Sequence, residues 1–528
     1  MLRSTFYQIS LLSVDPDEIK LEKDSFERAL PDLLPRLVSL DDFREFHPST
    51  MGAGTCCPLV LTAMLLLQFR YNLTDEALIA RCIRDLGFRY ALGLPRWKGP
   101  PRISSFRRFR AWVRVAKGPE WLFRLSLTLP KEAGLIEDAD LQVVDSTNTD
   151  CRGAICDTYN LIAAAIGAVV REVARHRGRT AESVAKQWGL SQYMGRSIKS
   201  AVDIDWSDES DRNALVTMEV RDADRLPRMI SGVIKRDADV SAALEFLAKV
   251  AHQDVEQLPD GTYKIAKGTA SGRIVSQTDQ EARHGRKSAS QPITGFKTHV
   301  LGTVESLFVT GIMMTDAGVH DSIPTPDLLA QAAESGLKPT RALGDGAYGT
   351  GPNLRACAQM GVELLTKQGA ANRGGLTKRD FEIAPDAQSV TCPAGHTSTK
   401  HTLIKNRDGA KNADGSDVRV PSFKFSKAVC KGCPLAAQCG KNVETEGREI
   451  VFNANEAELQ AIKHFNATPE SKPLLRRRCA IERLLSHLVR MGMRQARFFG
   501  LHMAQFQAFM TAAAYNLQRF ITLSAARS

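Results

Sequence analysis

The sequence has little that would tie it to a membrane or to the cell exterior. Its longest apolar run near the N-terminus, Pro58 to Leu67 (PLVLTAMLLL), is too short to span a bilayer. The opening MLRSTFYQIS lacks the apolar core and small-residue cleavage site of a secretory signal. Eleven cysteines without such a signal predict a reducing compartment, with thiols left free or bound to metal, so a cytoplasmic protein is expected. No internal repeat and no low-complexity tract stands out. Aromatic residues are only 7% of the chain, which with the basic balance argues against a carboxylate-pair enzyme acting on sugars.

What is present is a long, basic, globular chain. At 528 residues it exceeds one ordinary core, so two to four domains are expected. Seventy Lys and Arg against 59 Asp and Glu leave a formal charge of +11, which points to a polyanionic partner, most often nucleic acid. Acids are missing where bases cluster. From Arg96 to Gly118 (RWKGPPRISSFRRFRAWVRVAKG) eight Lys and Arg have no acid between them, and Phe106, Phe109, Trp112 and Val113 recur at helical spacing. This predicts an amphipathic helix whose Arg107, Arg108 and Arg110 either face water or contact DNA phosphates. Thr74-Asp75-Glu76 predicts the start of another helix. Residues 1–138 therefore read as a helical N-terminal DNA-binding domain.

Further along, LQVVDSTNTD reads as a short buried strand ending in Asp145. Leu161, Ile162, Ala165, Ile166, Val169, Val170 and Val173 mark a long helix within a mostly helical insertion, 157–276. The acids of DIDWSDESD (203–211) rival any metal-site assignment, but no strand positions them and a solvated loop is expected. Two strands follow, Ile293–Val304 and Leu307–Met314, then a helix ending at Gly336 and a strand, TRALGDGAYG, stopping at Asp345. NLRACAQMG reads as a helix and VELLTKQ as a strand. This β-β-α-β-α-β run is an α/β mixed sheet flanked by helices. A polar, cysteine-bearing insertion spans 370–470, and the chain is helical again from 471 to 528.

Asp145 and Asp345 could converge at the carboxyl ends of neighbouring strands, although each alone is most often turn chemistry. Glu482 is the single acid among ten Lys and Arg between Ser471 and Ser528. It suits either an ion pair with Arg478, one turn earlier, or a metal ligand facing a phosphate backbone. TCPAGH and VCKGCPLAAQC offer Cys392, Cys430, Cys433 and Cys439 as soft ligands for a tetrahedral zinc, with His396 competing for one place. The alternative is four unrelated reduced thiols. A closed zinc site would staple an insertion that otherwise shows little apolar core.

Taken in order, these pieces resemble bacterial insertion-sequence transposases of the Asp-Asp-Glu type, the subgroup with a cysteine cluster ahead of the glutamate. LTDEALIARCIRDLGFRYALGL and PPRISSFRRFRAWV look like the family's N-terminal domain. VVDST, DQEARHGRKSASQPITGFKTHV, LGDGAYG and RCAIER with GMRQARFFGL look like its catalytic segments. The resemblance implies a ribonuclease-H-like core from 139–369 and 471–528, with a zinc-ribbon-like insertion between. It implies Asp145, Asp345 and Glu482 as catalytic ligands of two Mg²⁺ (or Mn²⁺) ions, Asp145 bridging. Arg478 would contact a phosphate, and Lys297 and His299 would face DNA if the strand register exposes them. Arg478-x3-Glu482 matches the family's Tyr-x2-Arg-x3-Glu signature, but Leu475 holds the tyrosine's place. The implied reaction is cleavage at the element's terminal inverted repeats and joining to target DNA, with a homodimer in the DNA complex. A nuclease that does not join strands, or a non-catalytic DNA-binding descendant, are the alternatives; the presence of all three acids argues against the latter.

Overall fold

The structure is a computed structural model that describes residues 15–46, 56–95, 97–268, 270–288, 291–368, 375–384, 388–406, 411–412, 414–440 and 442–527; Arg96 lies outside these. A six-stranded mixed sheet forms its centre, from β1 (Gln142–Asp150), β2 (Arg283–Ser288), β3 (Gln291–Thr303), β4 (Val309–Asp316), β5 (Arg341–Gly344) and β6 (Glu363–Thr366). β1 pairs antiparallel with β3 along its whole length, from Gln142↔Thr303 to Asp150↔Gly295. On its other edge it pairs in parallel with β5, and only at Gln142↔Ala342 and Val143↔Leu343. β4 runs antiparallel to β3 and β6 parallel to β5, giving the order β4–β3–β1–β5–β6. β2 makes a hairpin with the first residues of β3.

β1 therefore does not stop at Asp145, as the sequence suggested. Hydrogen bonding to β3 carries it on to Asp150, while its parallel neighbour has already ended. From Val144 to Thr149 the β5-facing edge of β1 has no strand partner among the described residues, before Asp150 bridges to Gln495, and an open edge beside the ends of parallel strands is where ligands bind in α/β proteins.

The N-terminal helices α1 (Phe26–Leu37), α2 (Pro58–Arg70), α3 (Asp75–Arg84) and α4 (Ile103–Trp112) do not form a core of their own. α2 is buried at every position from Pro58 to Phe69, as expected of a helix that is apolar all round. Its apolar residues join one core that continues through the sheet to Phe520 and Ile521 near the C-terminus. The expected division near residue 138 is thus not a division of the core. Thr74 caps α3, its hydroxyl accepting from the Ala77 amide at 3.1 Å.

The helical insertion does have a separate core. α5 (Thr158–His176), α6 (Glu209–Met229) and α7 (Ala238–Ala251) bury Leu161, Ile166, Val170, Val216, Val220 and Leu247 against one another. Asp208 caps α6 through the Ser210 amide at 2.8 Å, and Asp205 accepts from Ser207 at 2.8 Å. The acids at 203–211 are a turn and a cap, which removes them as rivals for a metal. α8 (Thr325–Glu334) and α9 (Gly351–Gln359) connect β4, β5 and β6. α10 (Cys479–Leu488) packs on β1 and β3, and α11 (Leu501–Ala525) lies against β4 and α2. Among the described residues, no helix is long and apolar enough to cross a membrane.

One buried acid of the insertion has a testable consequence. Glu219 on α6 is fully buried and neither carboxyl oxygen has a hydrogen-bond partner among the described residues. Burial first, then the charges of Asp157 and Asp222, push its carboxyl up to about 9, so the neutral acid is the folded form at pH 7. A raised folded pKa stabilises fully below the unfolded value near 4.5, and that stabilisation is lost as pH rises toward 9. Stability should therefore fall by up to about 1.4 kcal/mol per pH unit across this window. Chemical denaturation at pH 5, 7 and 8.5 should show that slope in the wild type and a flatter one in Glu219→Gln.

Candidate functional site

Asp145 and Asp345 each lie two residues past the last parallel pair, Val143↔Leu343. That register brings two acids 200 residues apart in sequence to the same level of neighbouring strands. Gly344 makes the turn after β5 possible, because a Cβ there would meet Tyr348 Cβ at 2.8 Å. Asp345 then caps the short turn Gly346–Tyr348, accepting from the Ala347 amide at 2.8 Å.

The third acid arrives on α10. Ala480, Ile481, Leu484 and Leu488 bury one stripe of this helix, which leaves Arg478 and Glu482 on its flank. Gly302 on β3 lets the helix approach, since a Cβ there would fall 2.6 Å from Leu484 Cδ1 and 2.7 Å from the Phe308 carbonyl oxygen. Asp145 stands opposite Val300, two residues from Gly302 and on the same face of the sheet. Arg478 Nη1 donates to Asp145 Oδ2 at 3.0 Å, while its Nη2 lies 3.9 Å from Glu482 Oε1. One guanidinium thus links two of the three predicted acids. Glu482 itself is exposed.

The electrostatics fit a crowded, half-buried anionic spot. Burial pushes the Asp145 carboxyl up, and the charges of Asp345 and Asp321 add to this. The Ser146 amide, which donates to Oδ1 at 2.7 Å, and Arg478 work the other way without cancelling the rise. Asp321, in the loop after β4, was not anticipated from the sequence; no apolar strand leads directly into it. Tyr348 forms a buried wall nearby, its hydroxyl held neutral by burial and then by Asp145, Asp321 and Asp345. Among the described residues, no three His, Cys, Asp or Glu side chains stand close enough to ligate one ion. The donor set nonetheless suits Mg²⁺, which takes one or two carboxylates and completes its shell with water and phosphate oxygens.

The basic residues behave differently from expectation. Lys297 and His299 are buried, so neither faces solvent or DNA here. Lys297 Nζ donates to the Val319 carbonyl at 2.9 Å and pairs with Asp321 at 2.9 Å. His299 Nε2 contacts Thr315 Oγ1 at 2.9 Å, and burial lowers its pKa to about 4, beyond the opposing effect of Asp321. In the N-terminal region, Arg110 pairs with Asp75 at 2.6 Å, and Arg107 pairs with Asp75 and Glu76 at 2.7 and 2.8 Å. The compensating acids come from the start of α3, more than 30 residues upstream, and not from the basic segment itself. Burial pushes the Asp75 carboxyl up, but hydrogen bonds from Arg110, Arg107 and Gln68 outweigh it and hold it well below the usual range. Arg108 remains exposed, over the Phe46 ring.

Cys392, Cys430, Cys433 and Cys439 all line one small cavity of about 30 Å³, together with His396. Burial raises the Cys439 thiol, Arg448 opposes this, and the other three cysteines reinforce it. Two turns bring the ligand loops round: Gly395 at φ 86° closes a bond to the Cys392 carbonyl, and Gly432 at φ 75° lies between Cys430 and Cys433. The soft sulfur donors fit zinc. The surrounding segment has more core than expected, with Phe381, Val390, Phe423, Phe425, Ile450 and Phe452 buried together.

A fold of helices on a mixed sheet, with two aspartates levelled at neighbouring strand ends, is compatible with the transposase class. A family model described as "Transposase DDE domain" matches residues 391–521, and one described as "Transposase domain (DUF772)" matches residues 16–112. Both matches support a bacterial insertion-sequence transposase of the Asp-Asp-Glu type over the residues they cover. No curated protein and no solved structure matches it.

Gly302→Ala tests how α10 is seated. Leu484 can swing aside but the Phe308 carbonyl cannot, so destabilisation of about 1–3 kcal/mol is expected by chemical denaturation. Unchanged stability would mean that the helix does not depend on this contact.

Proposed function

We propose that this protein cleaves the ends of its own mobile element and joins them to target DNA. What supports the reading is that Asp145 and Asp345 stand at one level of neighbouring strands and that Arg478 links Asp145 to Glu482. The strand order, three antiparallel strands followed by two parallel ones, supports a ribonuclease-H-like core.

Asp145, Asp345 and Glu482 would hold two Mg²⁺ (or Mn²⁺) ions, with Asp145 as the shared ligand. When bound, such ions activate an attacking oxygen and stabilise the leaving one in an in-line displacement. The chain's own residues prepare that spot. The Ser146 amide fixes the Asp145 carboxylate, and Tyr348 walls it off from the interior. Arg478, which neutralises Asp145 here, exchanges that pairing for a phosphate oxygen next to the scissile bond. Water attacks a phosphodiester at the element end, breaking its P–O3′ bond and freeing the 3′-hydroxyl, which then attacks a target phosphodiester and displaces a target 3′-hydroxyl. Cys392, Cys430, Cys433 and Cys439 would hold a structural Zn²⁺ in a ribbon-like insertion. DNA is the partner, and two copies of the chain pair two element ends.

The test is a gel assay with labelled element ends and Mg²⁺. Wild type should give nicked DNA and strand-transfer product, and Asp145→Ala, Asp345→Ala and Glu482→Gln should lose both at unchanged circular dichroism. An Asp145→Ala protein that still cleaves ends the proposal; cleavage without joined product makes the protein a nuclease. Separately, elemental analysis should find one zinc per chain, absent in Cys433→Ser, whose cysteine-bearing segment should then exchange amide hydrogens faster.

A further inference from the structure

The helical insertion has a cleft that the reaction above does not use. It has a volume of about 210 Å³ and lies between α5, the loop 192–198 and Gln277 on the segment returning to the sheet. Arg171, Arg196, Asn160, Gln192, Ser197 and Gln277 supply its polar lining, and no carboxylate lines it. The insertion as a whole is electrically balanced, with seventeen basic and seventeen acidic residues across 157–276. Positive charge at this cleft is therefore local and is not spill-over from a basic domain.

The cleft is built rather than incidental. Asn160 pins the loop to α5, its carbonyl oxygen accepting from Ser197 Oγ at 2.8 Å and from the Ile198 amide at 3.1 Å. Gly167 leaves space for the Arg171 guanidinium and the Tyr193 backbone to approach. A Cβ there would lie 3.3 Å from Arg171 Nη1 and 2.7 Å from the Tyr193 carbonyl oxygen. Neither the Arg171 nor the Arg196 guanidinium has an ion pair or hydrogen bond among the described residues, although nearby Lys199 is taken up by Asp157 at 2.7 Å. Two unpaired guanidiniums over neutral hydrogen-bonding groups, with no competing acid, are the donor set that binds a phosphate.

We infer that this cleft binds a backbone phosphate of the DNA that the candidate active site cleaves; the inference rests on the proposed function. Position favours DNA over a free anion. Asn160, in the first turn of α5, and Gln277, on the returning segment, put one end of the cleft at the root of the insertion, ten residues beyond the end of β1 at Asp150. That strand carries the chain roughly 17 Å from Asp145 to Asp150, a distance a duplex covers in about five base steps. A duplex seated at the acids and running along β1 would reach this root.

Binding of an element-end duplex by the full chain, measured by fluorescence anisotropy at several salt concentrations, tests this. In Arg171→Gln/Arg196→Gln the slope of log K against log salt should fall by roughly 0.9, one phosphate contact being lost. Arg171→Lys/Arg196→Lys should restore most of it. Both arginines are exposed, so folding should survive, which circular dichroism checks. Equal slopes in wild type and the Gln variant overturn the inference and leave the proposed function standing. Inorganic phosphate that binds wild type but not the Gln variant, with equal DNA slopes, assigns the cleft to a free anion and also overturns it. A wild type that binds no element-end DNA overturns both readings.

Discussion

The central constraint is the concentration of negative charge around Asp145. A half-buried carboxylate with Asp345 and Asp321 near it is costly in the absence of counter-charge, and Arg478 with the Ser146 amide offsets only part of that cost. A protein that wanted only stability would place apolar side chains there. The surrounding architecture keeps the acids together. β3 extends β1 beyond its parallel partner, the β1–β5 register levels the two aspartates, and Gly302 lets α10 bring Glu482 and Arg478 close.

Both insertions leave the sheet from the same side as these acids. β1, β5 and β6 run parallel, so their carboxyl ends point one way. The helical insertion follows the end of β1, and the cysteine-bearing segment follows the end of β6. Each has its own buried cluster, so each can be a rigid wall beside the site without altering the sheet. The N-terminal helices do the opposite. By sharing one core with α11 and the sheet, they are held in one body with the sheet.

The mixed sheet and the β3–β4 hairpin were legible in the sequence because each depends on local pattern: alternation or a turn. What failed depended on distant partners. β1 outruns Asp145 because of β3, about 150 residues away. Arg107 and Arg110 read as unpaired because Asp75 and Glu76 belong to another helix. Lys297 and His299 lie in a strand whose exposure is set by register and by Asp321, neither visible locally. The core around Phe423 comes from short strands whose apolar residues are spread over many turns, so no single window shows it.

The central claim is that these acids are gathered to hold a divalent cation against DNA. Its most direct test is Mn²⁺ binding to the full chain with an element-end duplex, followed by electron paramagnetic resonance. The account predicts binding by wild type that is lost in both Asp145→Asn and Asp345→Asn. Equal Mn²⁺ occupancy in all three proteins would contradict it.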